Sequence, residues 1–217
     1  MYINNIVKDN NYIVSAYSIS DDVEKDVREA LTKILENYGC GALLAPVYVS
    51  VKELIINAIK ANFKNIYFEG YSPKNNLSKQ LDYETALRLF QLEISRENSF
   101  YFEQLARQND MKAEIEFWTE NNVLHVSVVN PVKMTETEIR NVRKKLNDAE
   151  SCRDIADYFM KNMNDPYREG AGIGLVLIIM MLKSLKAPND SLTISTDHTK
   201  TSAYMRIPLV SDVQNCA

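Results

Sequence analysis

The sequence predicts an α+β protein: a two-layer sandwich of helices on one sheet, in a single domain over residues 1–217. Two observations predict it. Helix-like and strand-like segments are segregated along the chain, not alternated as strand–helix–strand units. The hydrophobic fraction, 46% of 217 residues, is enough to bury one sizeable core.

The elements follow in order. "YIVSAYSIS", Tyr12 to Ser20, is rich in β-branched and aromatic residues and reads as a strand. "SDDVEKDVREALTKILENYG" carries Val23, Val27, Leu31 and Ile34 on one face, with Asp21 and Asp22 as caps and Gly39 as the stop. That is an amphipathic helix. "APVYVSVKELIINAIKANFKN" reads as a second helix with Pro46 near its start. Residues 71–110 have helical spacing and no strand pattern, so they predict one or two further helices. There Leu87, Phe90 and Ile94 form one buried stripe, while Tyr83, Phe100, Tyr101 and Phe102 are harder to bury on the same face. "KAEIEFWTENNVLHVSVVNP" is two alternating runs about "ENN", a hairpin with Ile115, Phe117, Leu124, Val126 and Val128 inward. Residues 134–169 are polar and helix-prone, long for a connection, and read as a helical lid. An apolar helix follows a glycine run, and "SLTISTDHTKTSAYMRIPL" closes the chain as a second hairpin.

Composition excludes several classes. The formal net charge of −4 carries no block of like charge, which argues against nucleic-acid or anionic-membrane partners. Cys40, Cys152 and Cys216 are widely spaced, so neither a disulfide framework nor a zinc site is expected. The N-terminus lacks a signal-peptide pattern, and the longest apolar run, Ile173 to Leu182, is too short to span a bilayer. The expectation is a soluble, cytoplasmic protein.

Two segments stand out chemically. In "ELIINAIK", Glu53, Asn57 and Lys60 sit at i, i+4 and i+7, on one helix face beside the apolar stripe Leu54, Ile55, Ala58 and Ala61. In "GAGIGL", Gly170, Gly172 and Gly174 are three of the chain's six glycines. They precede an apolar helix, where bare backbone and free N–H groups can approach a phosphate. The spacing is neither the G-x-G-x-x-G of dinucleotide folds nor a P-loop. Each segment alone also fits a bland reading, a solvated helix face and a helix-start hinge.

Together, "KELIINAIKAN" and "EGAGIGLVLIIMMLKSL" resemble the N-box and G-box of the GHKL ATPases, the superfamily of gyrase-type topoisomerases, heat-shock chaperones, histidine kinases and anti-sigma-factor serine kinases. The layout is most similar to the anti-sigma-factor serine kinases. "KTSAYMRIPL" is similar to the family's closing strand, with Thr201 and Pro208 at its threonine and proline. The resemblance covers residues 12–66 and 112–209, and leaves 71–110 as a helical insertion.

The resemblance implies ATP and Mg²⁺ as ligands. Asn57 would hold Mg²⁺, Lys60 would face the phosphates, and Glu53 would orient or deprotonate the nucleophile. Gly170, Gly172 and Gly174 would let the lid fold over the triphosphate. The family's Asp-x-Gly-x-Gly motif is replaced by "VSVVNPVKM", where Asn130 stands nearest to the adenine-binding aspartate. His125 falls in a strand pattern and His198 in a turn, so neither is placed as a phosphoacceptor on a dimerisation helix. The implied activity is phosphoryl transfer to a Ser or Thr of a protein partner. The alternatives are a non-catalytic regulatory module that docks a partner or a second copy of itself through the insertion, and a catalytic subunit serving a separate His-bearing protein.

Overall fold

The computed structural model describes residues 11–69, 83–94, 99–161 and 173–209. Five strands form one antiparallel sheet: β1 (Tyr12–Ala16), β2 (Ala113–Glu120), β3 (Val123–Asn130), β4 (Leu192–Thr196) and β5 (Thr201–Pro208), in the order β1-β2-β3-β5-β4. The helices are α1 (Asp21–Asn37), α2 (Leu44–Glu69), α3 (Tyr83–Glu93), α4 (Ser99–Gln108), α5 (Glu136–Ser151), α6 (Ile155–Lys161) and α7 (Ile173–Ser184). The architecture is α+β.

The alternation of the hairpin decides its faces. Ile115, Phe117, Leu124, Val126 and Val128 are at most 1% exposed and point into the core with Met205 and Ile207. Burying a side chain as large as Phe117 contributes about 1.5–3 kcal/mol. The β2–β3 turn has positive φ at both Asn121 and Asn122, which asparagine tolerates and which matches the twist of paired strands. On the opposite face Trp118, His125 and Tyr204 stack, with ring centroids 5.0 and 5.9 Å apart. Burial pushes the His125 imidazole below its ordinary pKa, and its Nδ1 meets the Tyr204 hydroxyl. This histidine is a packed sheet residue.

The first strand is shorter than expected, ending at Ala16. Ser20 caps α1, accepting from Val23 N at 3.3 Å, so Asp21 and Asp22 lie in the first turn and are not the cap. There they favour the positive end of the helix dipole. Gly39, at φ 67°, ends the helix as its sequence suggests. Pro46 lies in the first turn of α2, where its missing N–H costs nothing.

By length and composition alone, α2 is apolar enough to cross a membrane. In the fold it is the central helix of its layer, packed on α7, β3, α1 and α4. Val47, Val51, Leu54, Ile55 and Ile66, each no more than 2% exposed, make that contact.

The insertion packs on the far end of α2. Leu87, Phe90 and Ile94 turn inward as the stripe predicts. Phe102 corrects the expectation: it is 1% exposed, stacked on Phe63 at 5.5 Å and edge-on to Phe90 at 6.1 Å. The reason is that the last turns of α2 offer their own aromatics, Phe63 and Tyr67, as a second packing surface. Phe100, Tyr101 and Leu92 stay exposed. The side chain of Tyr83 is outside the described residues. Cys40 and Cys152 are buried and not disulfide-bonded, and Cys216 also falls outside the described residues.

Candidate functional site

A cavity of about 360 Å³ opens between α2, the ends of β3 and β5, α5 and the first turn of α7. That is within the range of small-ligand sites. Glu53, Asn57 and Lys60 line it from one face of α2, as their spacing predicts. Asn57 and Lys60 are exposed and Glu53 is half-buried. Asn130 and Thr201 line it from the sheet, directly opposite each other in the β3–β5 register. Gly174 lines it from α7. Six of the eight residues singled out from the sequence therefore meet in one place. Gly170 and Gly172 lie outside the described residues.

Gly174 has a specific reason to be glycine. A Cβ built there would collide with the Glu53 carboxylate and sit 2.9 Å from its Cδ. Glu53 thus lies against the first turn of α7, whose N–H groups favour a negative charge.

Several residues of the site were not legible from motif spacing. Lys64 follows Lys60 by one turn and borders the cavity. It forms an ion pair with Glu138 of α5. Burial disfavours the Lys64 ammonium, and the carboxylate in contact with it works the other way. Glu138 also closes a capping box with Thr135, its Oε2 accepting from Thr135 N at 2.8 Å. Lys133 borders it from the loop after β3, and Asn141, Val142 and Lys145 supply the wall from the segment read as a lid. That segment packs along α7 through α5. The available signal for Lys64 was the i+11 position from Glu53, which continues the same face for one more turn. Nothing in the polar pattern of α5 marked which of its faces would be inward.

Four lysines against two carboxylates line the cavity, so its field favours an anion. The wall between them is apolar, formed by Ala58, Val128, Val132, Ile194 and Ala203. Among the described residues no three His, Cys, Asp or Glu side chains gather to cage a metal. Asn57 offers one neutral oxygen, which suits Mg²⁺ only where phosphate oxygens and waters complete the shell.

No family model matches the chain, and no solved structure matches it. A protein of Treponema pallidum (strain Nichols), described as an uncharacterized protein, is 25% identical over 201 residues. The match takes in 93% of this chain and 38% of that protein, so the chain spans well under half of its relative's length.

Proposed function

We propose that the protein binds Mg²⁺-ATP in this cavity, as a GHKL-type ATPase domain, and transfers the γ-phosphoryl group to a Ser or Thr hydroxyl of a protein partner. The observation that carries the reading is the convergence of Glu53, Asn57, Lys60, Asn130, Gly174 and Thr201, drawn from four elements, on one anion-favouring cavity. Lys60 and Lys64 line it from α2 and Lys145 from α5, and on the sheet side Val128, Ile194 and Ala203 form an apolar slot with Asn130 and Thr201.

Mg²⁺, when bound, neutralises phosphate charge and orients the triphosphate. Asn57 would hold it by its amide oxygen. Lys60 and Lys64 would place compact positive charge beside the phosphates. Glu53 would accept the proton of the attacking hydroxyl as its oxygen bonds to phosphorus and ADP departs. The glycine at 174 leaves the Glu53 carboxylate room to stand at the head of α7.

The test is thermal unfolding with and without Mg²⁺-ATP. Binding raises the midpoint, by about 2.7 kcal/mol of stability at a hundredfold excess over Kd. Asn57→Ala should abolish the contribution of Mg²⁺. No shift at millimolar nucleotide would sink the proposal. The reading as a partner-docking regulatory module would then gain, supported by Leu92 and Phe100, which are 73% and 66% exposed on the insertion.

A further inference from the structure

Asn62 is 1% exposed and Asn130 is 3% exposed, and both are polar residues inside the apolar layer. Buried amides need partners, and here the partners run in one direction. Asn62 Nδ2 donates to the Met111 carbonyl at 3.1 Å. A carbonyl can only accept, so Asn62 must present its NH₂ group to Met111 and its Oδ1 to the other side. Asn130 Nδ2 donates to that Oδ1 at 3.2 Å. The orientation of Asn130 is thereby settled as well. Its NH₂ group faces Asn62, and its Oδ1 is the atom left for the cavity.

Thr201 repeats the pattern beside it. Its Oγ1 donates its one proton to the Val132 carbonyl at 2.6 Å, and the more distant Thr196 Oγ1, at 3.3 Å, has its own acceptor in the Lys200 carbonyl at 2.9 Å. Toward the cavity this hydroxyl, too, can only accept. The sheet end of the apolar slot therefore presents two acceptors side by side, Asn130 and Thr201 being paired across β3 and β5.

We infer that Asn62 is a positioning residue that locks the Asn130 amide with its oxygen toward the cavity, so that the slot selects a base bearing an exocyclic N–H donor over one bearing a carbonyl there. This rests on the nucleotide reading above. Without Asn62, the Asn130 amide is free to turn over and offer either group. A 6-oxo purine, which meets an acceptor with an acceptor in the native site, would then find a donor. The asymmetry is strong because an unpaired buried polar group costs far more than a hydrogen bond adds.

The experiment measures the affinities of Mg²⁺-ATP, Mg²⁺-ITP and inorganic tripolyphosphate for the full chain and for Asn62→Ser and Asn62→Asp. Wild type should prefer ATP to ITP by about tenfold or more. Asn62→Ser keeps a polar atom near the helix but shortens the reach to Asn130, and should bring the two nucleotides to within about threefold. Asn62→Asp, held protonated by its burial, keeps an O–H donor for the Met111 carbonyl and an acceptor for Asn130 Nδ2, and should retain the preference. Tripolyphosphate affinity should be the same in all three. Equal ATP and ITP binding by wild type would overturn the inference and leave the nucleotide reading standing. So would an undiminished preference in folded Asn62→Ser. Failure of wild type to bind either nucleotide would overturn both. If Asn62→Ser does not fold, loss of the preference in Asn62→Asp overturns the inference and its retention supports it.

Discussion

Gly174 lies against Glu53 so closely that no side chain fits between them. A Cβ at Gly174 would be 2.9 Å from Glu53 Cδ and 3.2 Å from Cγ. Two opposing effects meet in Gly174→Ala. Alanine in a helix is favoured over glycine by about 1 kcal/mol. The clash is with the far end of a flexible, half-buried side chain, which can swing away at small cost. The variant should therefore keep or slightly raise its melting temperature while losing phosphoryl transfer. Thermal unfolding and single-turnover assays on the same preparation check this. A large drop in melting temperature would show that Glu53 cannot move and that the contact is structural.

Glu53→Gln separates binding from chemistry. The amide keeps the shape and loses the proton acceptor. Nucleotide affinity should change by no more than about threefold, against a fall of about 10²–10⁴ in transfer rate, the usual worth of a general base. Calorimetric titration beside a rate measurement distinguishes the two. Loss of both together would make Glu53 a residue that orients Mg²⁺.

Phe100 and Phe102 sit two positions apart in α4 and should behave oppositely. Phe102→Ala opens a hole among Phe63, Tyr67 and Phe90 and should cost about 3–5 kcal/mol. Phe100→Ser, at a site 66% exposed, should fall within about 0.5 kcal/mol of wild type. Denaturant titration of each variant gives the comparison. Light scattering on Phe100→Ser then reports on self-association without the fold being disturbed.

The α1–α2 contact predicts a pH dependence. Glu24 accepts from Lys52 Nζ at 2.5 Å and from the Tyr48 hydroxyl at 2.6 Å, and Arg28 lies over the Tyr48 ring at 4.1 Å. The Lys52 hydrogen bond, then that of Tyr48, holds the Glu24 carboxyl below its ordinary pKa. The Glu24 bond raises Lys52 above its own. A depressed carboxylate stabilises fully above its unfolded pKa and loses that contribution as pH falls through the folded value. A raised lysine stabilises below its unfolded pKa and loses the contribution as pH rises through the folded value. The cluster should therefore be fully effective between the carboxylate and lysine ranges. It is one-third exposed, so its worth is at most about 1 kcal/mol. Glu24→Gln should be less stable than wild type at neutral pH, with the gap closing in acid below the carboxylate range. A gap that persists in strong acid would attribute the effect to packing.

What the sequence determined by itself is local and periodic. The strand alternation about Asn121 and Asn122, the apolar stripes of α1 and α2, and the common face of Glu53, Asn57 and Lys60 follow from backbone periods of 2 and 3.6 residues. Those periods need no knowledge of the partner element. Even the anomaly at Asn62 was on view, as a polar residue two turns beyond Ile55 on the buried stripe. Only the tertiary structure decided what each face meets. It paired Asn62 with Asn130 across 68 residues, brought Glu138 to Lys64, and folded Phe102 onto Phe63 where the helix spacing alone left it without a surface. Those choices depend on how elements distant in sequence stack, because a buried amide takes its orientation from the fixed carbonyl it reaches, and that carbonyl belongs to Met111.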